Sequence, residues 1–152
     1  MTNWNDKGGA REVDSPDVTM TPDQFKIIFQ VTKEFRSIPE SRLQEEGIPI
    51  HHPSEIIAFA RIIRRSTSAG RVRVFFISPD SSDSKTLGIE DSADAQSHVE
   101  SKEFPYATAR HWWPLINLAV ASLGPKELMF RTGYRQDEID AASSPLNALF
   151  SH

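Results

Sequence analysis

The segment from residue 106 to residue 123 constrains the fold more than any other stretch of the chain. It holds two of the three tryptophans, and its apolar residues cover most of the circumference of a helix. A helix that is apolar nearly all round is a buried one. Gly124 then supplies a helix stop and Pro125 blocks continuation. The pattern predicts the central helix of a small helical domain, with either a kink or a true start at Pro114.

Length and composition favour a single soluble domain. The chain has 152 residues and no cysteine, which excludes a disulfide framework, a thiol nucleophile and a Cys-based zinc site. It lacks an apolar run of about 18 residues, so no membrane span is expected. The polar, acidic N-terminus does not have the pattern of a signal peptide. We therefore expect a soluble, intracellular, cytoplasmic protein.

The N-terminal half is predicted to contain three helices. Residues 1–20 have almost nothing apolar to bury and are expected to form a disordered arm. Thr21 and Gln24 form a capping-box pattern that starts a helix running to about Arg36. A short second helix is expected to end at Gly47. Pro53 opens a third helix, whose apolar stripe is Ile56, Phe59, Ala60 and Ile63.

The alternation of apolar and polar residues from Arg71 to Ile77 predicts a strand, which could pair with a second strand near 85–89. The rest of 79–103 is expected to be a surface loop with a helical piece around 93–100. Further helical turns are expected at 126–131 and 136–142, and a docked turn in 143–152. The predicted fold is mainly α: a disordered arm over 1–20, then one compact helical domain over 21–152 with a candidate β-hairpin.

A cluster of arginines is the strongest local signal for a binding site. Residues 61–79 hold five arginines and no acid. Three share one side of the third helix and two share one face of the strand; if these faces are contiguous, they form one phosphate-binding surface. Alternatively, the arginines pair with the acidic segment 80–103 or are simply solvated. The predicted site is Arg61, Arg64, Arg65, Arg71, Arg73 and Arg110, with Lys126, Arg131 and Arg135 as extensions and Phe75, Tyr106 and His111 as stacking planes.

His51, His52 and Glu55 could begin a metal site, but His98, His111 and His152 do not have a matching spacing. A connector or helix-cap role is favoured, so no metal and no cofactor are predicted. The sequence has no nucleophile elbow, phosphate loop or dinucleotide fingerprint, and we expect no enzymatic activity. The pair Trp112-Trp113 is expected in the core rather than in a ligand cage.

The order of these elements resembles the coat proteins of flexible filamentous plant RNA viruses, the potexvirus-like group. The resemblance covers residues 21–142 as a pattern, without a long identical run. Its counterparts are Thr21-Pro22-Asp23-Gln24-Phe25, Pro39, Ile56–Ser68, Arg110-His111-Trp112, Gly124-Pro125 and Gly133-Tyr134.

The resemblance implies a helical coat domain that binds single-stranded RNA, with Arg110 in the place of the family's RNA-site arginine and Ser78 near its serine. The chain departs from the family after Tyr134, where an aspartate-bearing aromatic motif is replaced by Asp-Ala-Ala-Ser-Ser-Pro-Leu-Asn-Ala-Leu-Phe. The family's C-terminal extension is also missing. These departures put the RNA-site aspartate in doubt.

The predicted function is that of a non-enzymatic assembly protein, similar to a coat or nucleocapsid protein. It would bind single-stranded RNA or another polyanion through phosphate contacts and associate with itself. The alternative is a protein–protein adaptor with opposed basic and acidic surfaces and no nucleic-acid role.

Overall fold

The computed structural model of the protein describes residues 17–78, 84–90 and 99–150. Within these ranges the chain forms helices on one side of a four-stranded sheet. The strands are β1 (Val18–Met20), β2 (Arg71–Ile77), β3 (Ser84–Ile89) and β4 (Val99–Pro105). The helices are α1 (Pro22–Thr32), α2 (Glu40–Glu45), α3 (His52–Ala69), α4 (Tyr106–Ala109), α5 (Trp112–Thr132) and α6 (Gln136–Phe150), with a 3₁₀ turn at Lys33–Ser37.

The sheet makes the fold a mixed α/β one, although helices predominate. Its strand order is β1-β3-β2-β4. The predicted hairpin is confirmed, since β2 and β3 are antiparallel with Val74 opposite Leu87. β1 pairs parallel to β3, and β4 pairs parallel to β2. The prediction of a mainly α fold is confirmed in part: helices predominate, but the prediction omitted the two edge strands that make the fold mixed α/β.

Neither missed strand has an apolar alternation long enough to reveal a strand. β1 has only three residues and lies in the segment predicted as an arm, so the ordered domain begins before residue 21. β4 reads Val-Glu-Ser-Lys-Glu-Phe-Pro and lies where a loop with a helical piece was expected. An edge strand needs few apolar residues because it pairs with only one other strand and the helices cover it only in part. The arm up to residue 16 and the helical piece over 93–98 lie outside the described residues.

The two faces of the sheet differ in chemistry. The face that packs on the helices carries Val72, Val74 and Phe76 from β2, all fully buried, with Leu87 and Ile89 from β3. Because successive side chains in a strand point to opposite faces, Arg71, Arg73 and Phe75 lie on the other face. All three are half-buried.

The α3 helix packs its predicted stripe against the apolar face of the sheet. Ile56, Ala60 and Ile63 are fully buried. The Phe59 ring stacks on Phe104 of β4, with centroids 4.2 Å apart and planes 11° apart. The α3 helix therefore lies on the side of the sheet opposite to Arg71 and Arg73.

The central helix is confirmed as the buried core element. It starts at Trp112, after the short α4, and Gly124 interrupts it with φ 79°, a left-handed value that favours glycine. Trp112 is fully buried, and its ring meets Phe25 edge-on at 6.3 Å. Trp112 is thus a core residue, as predicted.

Several helices also begin or end where the capping and glycine signals in the sequence predict. The predicted capping box at the start of α1 is present, with Thr21 and Gln24 bonded reciprocally. The α2 helix ends before Gly47, whose φ is 70°. The C-terminal segment is more regular than expected, because α6 continues to Phe150 and buries Leu146 and Leu149. Among the described helices, none combines the length and apolar character that a membrane span requires.

Candidate functional site

Three arginines of the predicted site lie together on α3. Arg61 and Arg65 are exposed and Arg64 is half-buried. Their spacing of three and four residues places them on one side of the helix. Arg64 Nη1 donates a hydrogen bond to Ser68 Oγ at 3.1 Å. Within the described residues, no ion pair involves any of the three, so their charges are available to an anion.

Arg71 and Arg73 belong to a different surface. They lie on the open face of the sheet, whereas α3 covers the other face, so the sheet separates the two groups. The five arginines therefore do not form the contiguous surface that the sequence allowed. Arg71 Nη1 also lies 3.1 Å from Glu90 Oε1 in a partly buried ion pair, which is the intramolecular pairing considered as the alternative.

Arg110 lies in the turn between α4 and α5 and is exposed. It directly precedes His111, whose Nδ1 lies 2.9 Å from Nδ1 of His52, so it lies near the N-terminal end of α3. Its charge contributes to lowering the pKa of both histidines. Arg61 follows His52 by nine residues, which corresponds to about 14 Å along the helix axis. Arg110 therefore lies near the start of α3, whereas the three arginines lie from the middle of the helix towards its C-terminal end.

Of the predicted extensions of the basic surface, Arg131 and Arg135 form ion pairs within the protein, whereas Lys126 is exposed. Arg131 contacts both Glu127 and Glu34, at 2.6 and 3.3 Å. Arg135 Nε lies 3.2 Å from Asp137 Oδ1. The Tyr106 ring packs against Phe150 at 5.5 Å between centroids. The charges of Arg131 and Arg135 are thus partly neutralised by neighbouring carboxylates, and the Tyr106 ring is packed against α6.

An apolar groove of about 420 Å³ lies beside Arg61. It runs between α3, α2 and the 3₁₀ turn, and Ile50 at its edge is 57% exposed. Arg36 and Arg61 add positive charge to its lining, and Glu40 adds a single negative one. The apolar lining is Phe35, Ile38, Leu43, Ile50, Pro53 and Ile57.

A histidine cluster joins the start of α3 to the start of α5. The Nδ1 atoms of His52 and His111 lie 2.9 Å apart, within hydrogen-bond distance. Burial lowers the pKa of His52, with a further contribution from His51. Burial, then the nearby Arg110 and His52, lower the pKa of His111 to about 4. Both imidazoles are therefore neutral at neutral pH, and the Nδ1–H of one ring donates a hydrogen bond to Nδ1 of the other.

His51 and Glu55 complete this cluster from the first turns of α3. One metal-binding atom from each of His51, His52 and Glu55 lies within 4.8 Å of the others. His51 occupies the N-cap position, but its side chain makes no capping hydrogen bond. Thr108 Oγ1 donates a hydrogen bond of 3.4 Å to Glu55 Oε1.

The sequence interpretation missed the contact between His52 and His111. The sequence pattern indicates His51, His52 and Glu55 as candidate ligands. It does not indicate His111, because the distance of His111 from them along the chain matches no known pattern of metal ligands. The two histidines are 59 positions apart, and the contact depends on how α3 and α5 cross. The two histidines share one signal in the sequence: each is followed within three residues by a proline, Pro53 or Pro114, which favours the first turn of a helix.

Comparison of the chain with protein-family models, with curated proteins and with solved structures gave no significant match.

Proposed function

We propose that this protein is a non-enzymatic binding and assembly protein that holds single-stranded RNA through phosphate contacts. The observation that carries the proposal is the set of three arginines on α3. Arg61, Arg64 and Arg65 share one helical side and make no ion pair with any described carboxylate. Guanidinium groups bind phosphate oxygens bidentately and remain charged at every physiological pH. Such contacts hold a backbone without reading its sequence.

Single-stranded rather than double-stranded RNA fits the surroundings of these arginines. The groove beside Arg61 is apolar and opens to solvent, so an unstacked base could enter it while its phosphates meet the arginines. Base contacts of this kind are sequence-tolerant because every base presents an apolar face. The coat or nucleocapsid role adds self-association, which is supported by Met129 and Phe130 on α5. These neighbouring apolar side chains are 41% and 84% exposed.

The groove also favours the second candidate, a protein–protein adaptor. An extended peptide with an apolar side chain and an acidic neighbour would complement the apolar lining and the charges of Arg36 and Arg61. Such a partner would compete for the same surface as RNA. Binding that is independent of nucleic acid separates the two candidates.

The proposal is tested by fluorescence anisotropy with a short labelled oligouridylate at low salt. The triple variant Arg61→Ala, Arg64→Ala, Arg65→Ala is expected to lose at least about tenfold in affinity. A control variant, Lys126→Ala, Arg131→Ala, Arg135→Ala, removes the same number of positive charges elsewhere and is expected to bind nearly as the wild type. If the wild-type protein does not bind at low salt, the RNA proposal is wrong and the adaptor becomes the working candidate.

A further inference from the structure

The start of α3 brings together side chains that favour a transition-metal ion. His51 and Glu55 are exposed, so an ion can reach them from solvent, whereas His52 is buried. The His51 and His52 rings are nearly perpendicular, at 81°, with centroids 4.8 Å apart. Two imidazoles and one carboxylate form a three-ligand set that Zn²⁺ accepts, with water in the fourth position.

The spacing of these atoms is close to what one ion requires. The ligand atoms lie within 4.8 Å of one another. Around a tetrahedral Zn²⁺ with bonds of about 2.0–2.1 Å, neighbouring ligand atoms are about 3.3 Å apart. Because His51 and Glu55 are exposed, rotation of their side chains can close this difference without moving the core. Imidazole donors select Zn²⁺ and similar ions over Mg²⁺ and Ca²⁺, which prefer oxygen.

His111 supplies what a metal-binding histidine usually needs, a partner for its second ring nitrogen. The His52 and His111 Nδ1 atoms are 2.9 Å apart. If His52 Nδ1–H donates to His111 Nδ1, the lone pair on His52 Nε2 is free for a metal. Ligating histidines almost always donate their other N–H to an acceptor, usually a carboxylate, a backbone carbonyl or water, and that acceptor fixes the tautomer and the ring orientation. Here the acceptor would be the neutral His111 ring.

We infer that His51, His52 and Glu55 bind one Zn²⁺-like divalent transition-metal ion, with His111 as the positioning residue for His52. The site is distinct from the arginine surface and does not depend on RNA binding. Metal binding would affect the stability of the fold. A metal-bound His52 held by His111 would tie the start of α3 to the start of α5, and an ion that binds only the folded state stabilises it.

The surrounding charges make a sharp test possible. Glu55 is the carboxylate that favours a cation, and its hydrogen bond from Thr108 orients it. Arg110 and the positive end of the α3 dipole oppose a cation. Removal of the Arg110 charge is therefore expected to tighten metal binding, which a purely structural role of the cluster does not predict.

The experiment uses the 152-residue chain after treatment with a chelator. Co²⁺ is titrated in and followed by its visible absorption, and Zn²⁺ affinity is then obtained by competition. One ion per chain is expected. His51→Ala and Glu55→Gln, both at exposed positions, are expected to weaken binding at least about tenfold. Glu46→Gln, an exposed carboxylate directly after α2, is the matched control and is expected to leave the affinity unchanged.

The positioning role of His111 has its own pair of variants. His111→Ala is expected to weaken binding about 10- to 100-fold. His111→Asn keeps an acceptor on the same side-chain carbon and is expected to restore most of the affinity. Arg110→Ala is expected to tighten it. If no ion binds, or if His51→Ala and Glu55→Gln leave the affinity unchanged, the metal site is wrong.

Discussion

The indole N–H of Trp112 donates a hydrogen bond to Thr32 Oγ1 at 3.0 Å and thereby joins α5 to α1 at the centre of the core. Both side chains are fully buried. The Thr32 hydroxyl donates in turn to the Ile28 carbonyl at 2.7 Å, so its own proton is also used. A large aromatic ring can be buried here because its single polar group has a partner.

Replacement of Thr32 by valine tests this relationship. Thr32→Val keeps the shape and the helix propensity but leaves the Trp112 N–H buried without an acceptor. We expect the free energy of unfolding to fall by about 1–3 kcal/mol in urea titrations. Thr19→Val, at an exposed strand position, is the control and should change it by less than about 0.5 kcal/mol. Equal effects of the two variants would show that the hydrogen bond does not stabilise the core.

The capping box at the start of α1 gives a second prediction. Gln24 N–H donates to Thr21 Oγ1 at 3.1 Å, and Thr21 N–H donates to Gln24 Oε1 at 2.9 Å. Thr21→Ala removes one acceptor and is expected to cost about 1 kcal/mol of unfolding free energy. Ser41→Ala on α2, whose side chain makes no described hydrogen bond, is expected to be nearly neutral. Thermal unfolding followed by circular dichroism compares the two variants.

The histidine pair predicts how stability depends on pH in the metal-free protein. The pKa of His111 is lowered from 6.5 to about 4 in the folded state, first by burial and then by Arg110 and His52. Between these values the unfolded chain binds a proton that the folded protein does not. Stability contributed by the neutral ring is therefore full above pH 6.5 and is lost as the pH falls towards 4.

Because the His111 ring is only half-buried, the loss is on the order of 1–2 kcal/mol. The measurement is urea unfolding at several pH values in the presence of a chelator, with an NMR titration of the histidine rings. The His111→Asn variant should flatten this part of the profile. An NMR midpoint for His111 near its ordinary value of about 6.5 would contradict the account.

The open face of the sheet is not expected to contribute to RNA binding. Arg71 is held by Glu90 and faces away from α3. Arg71→Ala is therefore expected to change RNA affinity less than about twofold, whereas Arg61→Ala should lower it severalfold. Anisotropy titrations under identical low-salt conditions compare the two variants. A larger loss for Arg71→Ala would move the proposed surface from α3 to the sheet.

Elements with a strong periodic pattern could be predicted from the sequence. The stripe on α3, the alternation in β2, the capping box of α1 and the stop at Gly124 each depend on nearby residues, and all four are confirmed. The strands β1 and β4 could not be predicted, because a short edge strand with few apolar residues has no comparable signal. Their place in the sheet depends on partners far along the chain.

In the candidate sites, too, only features that depend on residues close together in the sequence could be predicted. The shared side of Arg61, Arg64 and Arg65 follows from helical spacing alone. Whether Arg71 joins them depends on which face of the sheet α3 covers, and that could not be read from the spacing. The contact of His52 with His111 likewise depends on helix packing, so a search for local metal-binding patterns missed it.

The dependence of RNA affinity on salt tests the central claim most directly. For single strands, log K falls with log salt by about 0.7 for each neutralised phosphate. If Arg61, Arg64 and Arg65 each hold a phosphate, the triple alanine variant should have a slope that is smaller by about 2 units. The control variant lacking Lys126, Arg131 and Arg135 should keep the wild-type slope. Equal slopes for the wild type and the α3 variant would contradict the proposed function.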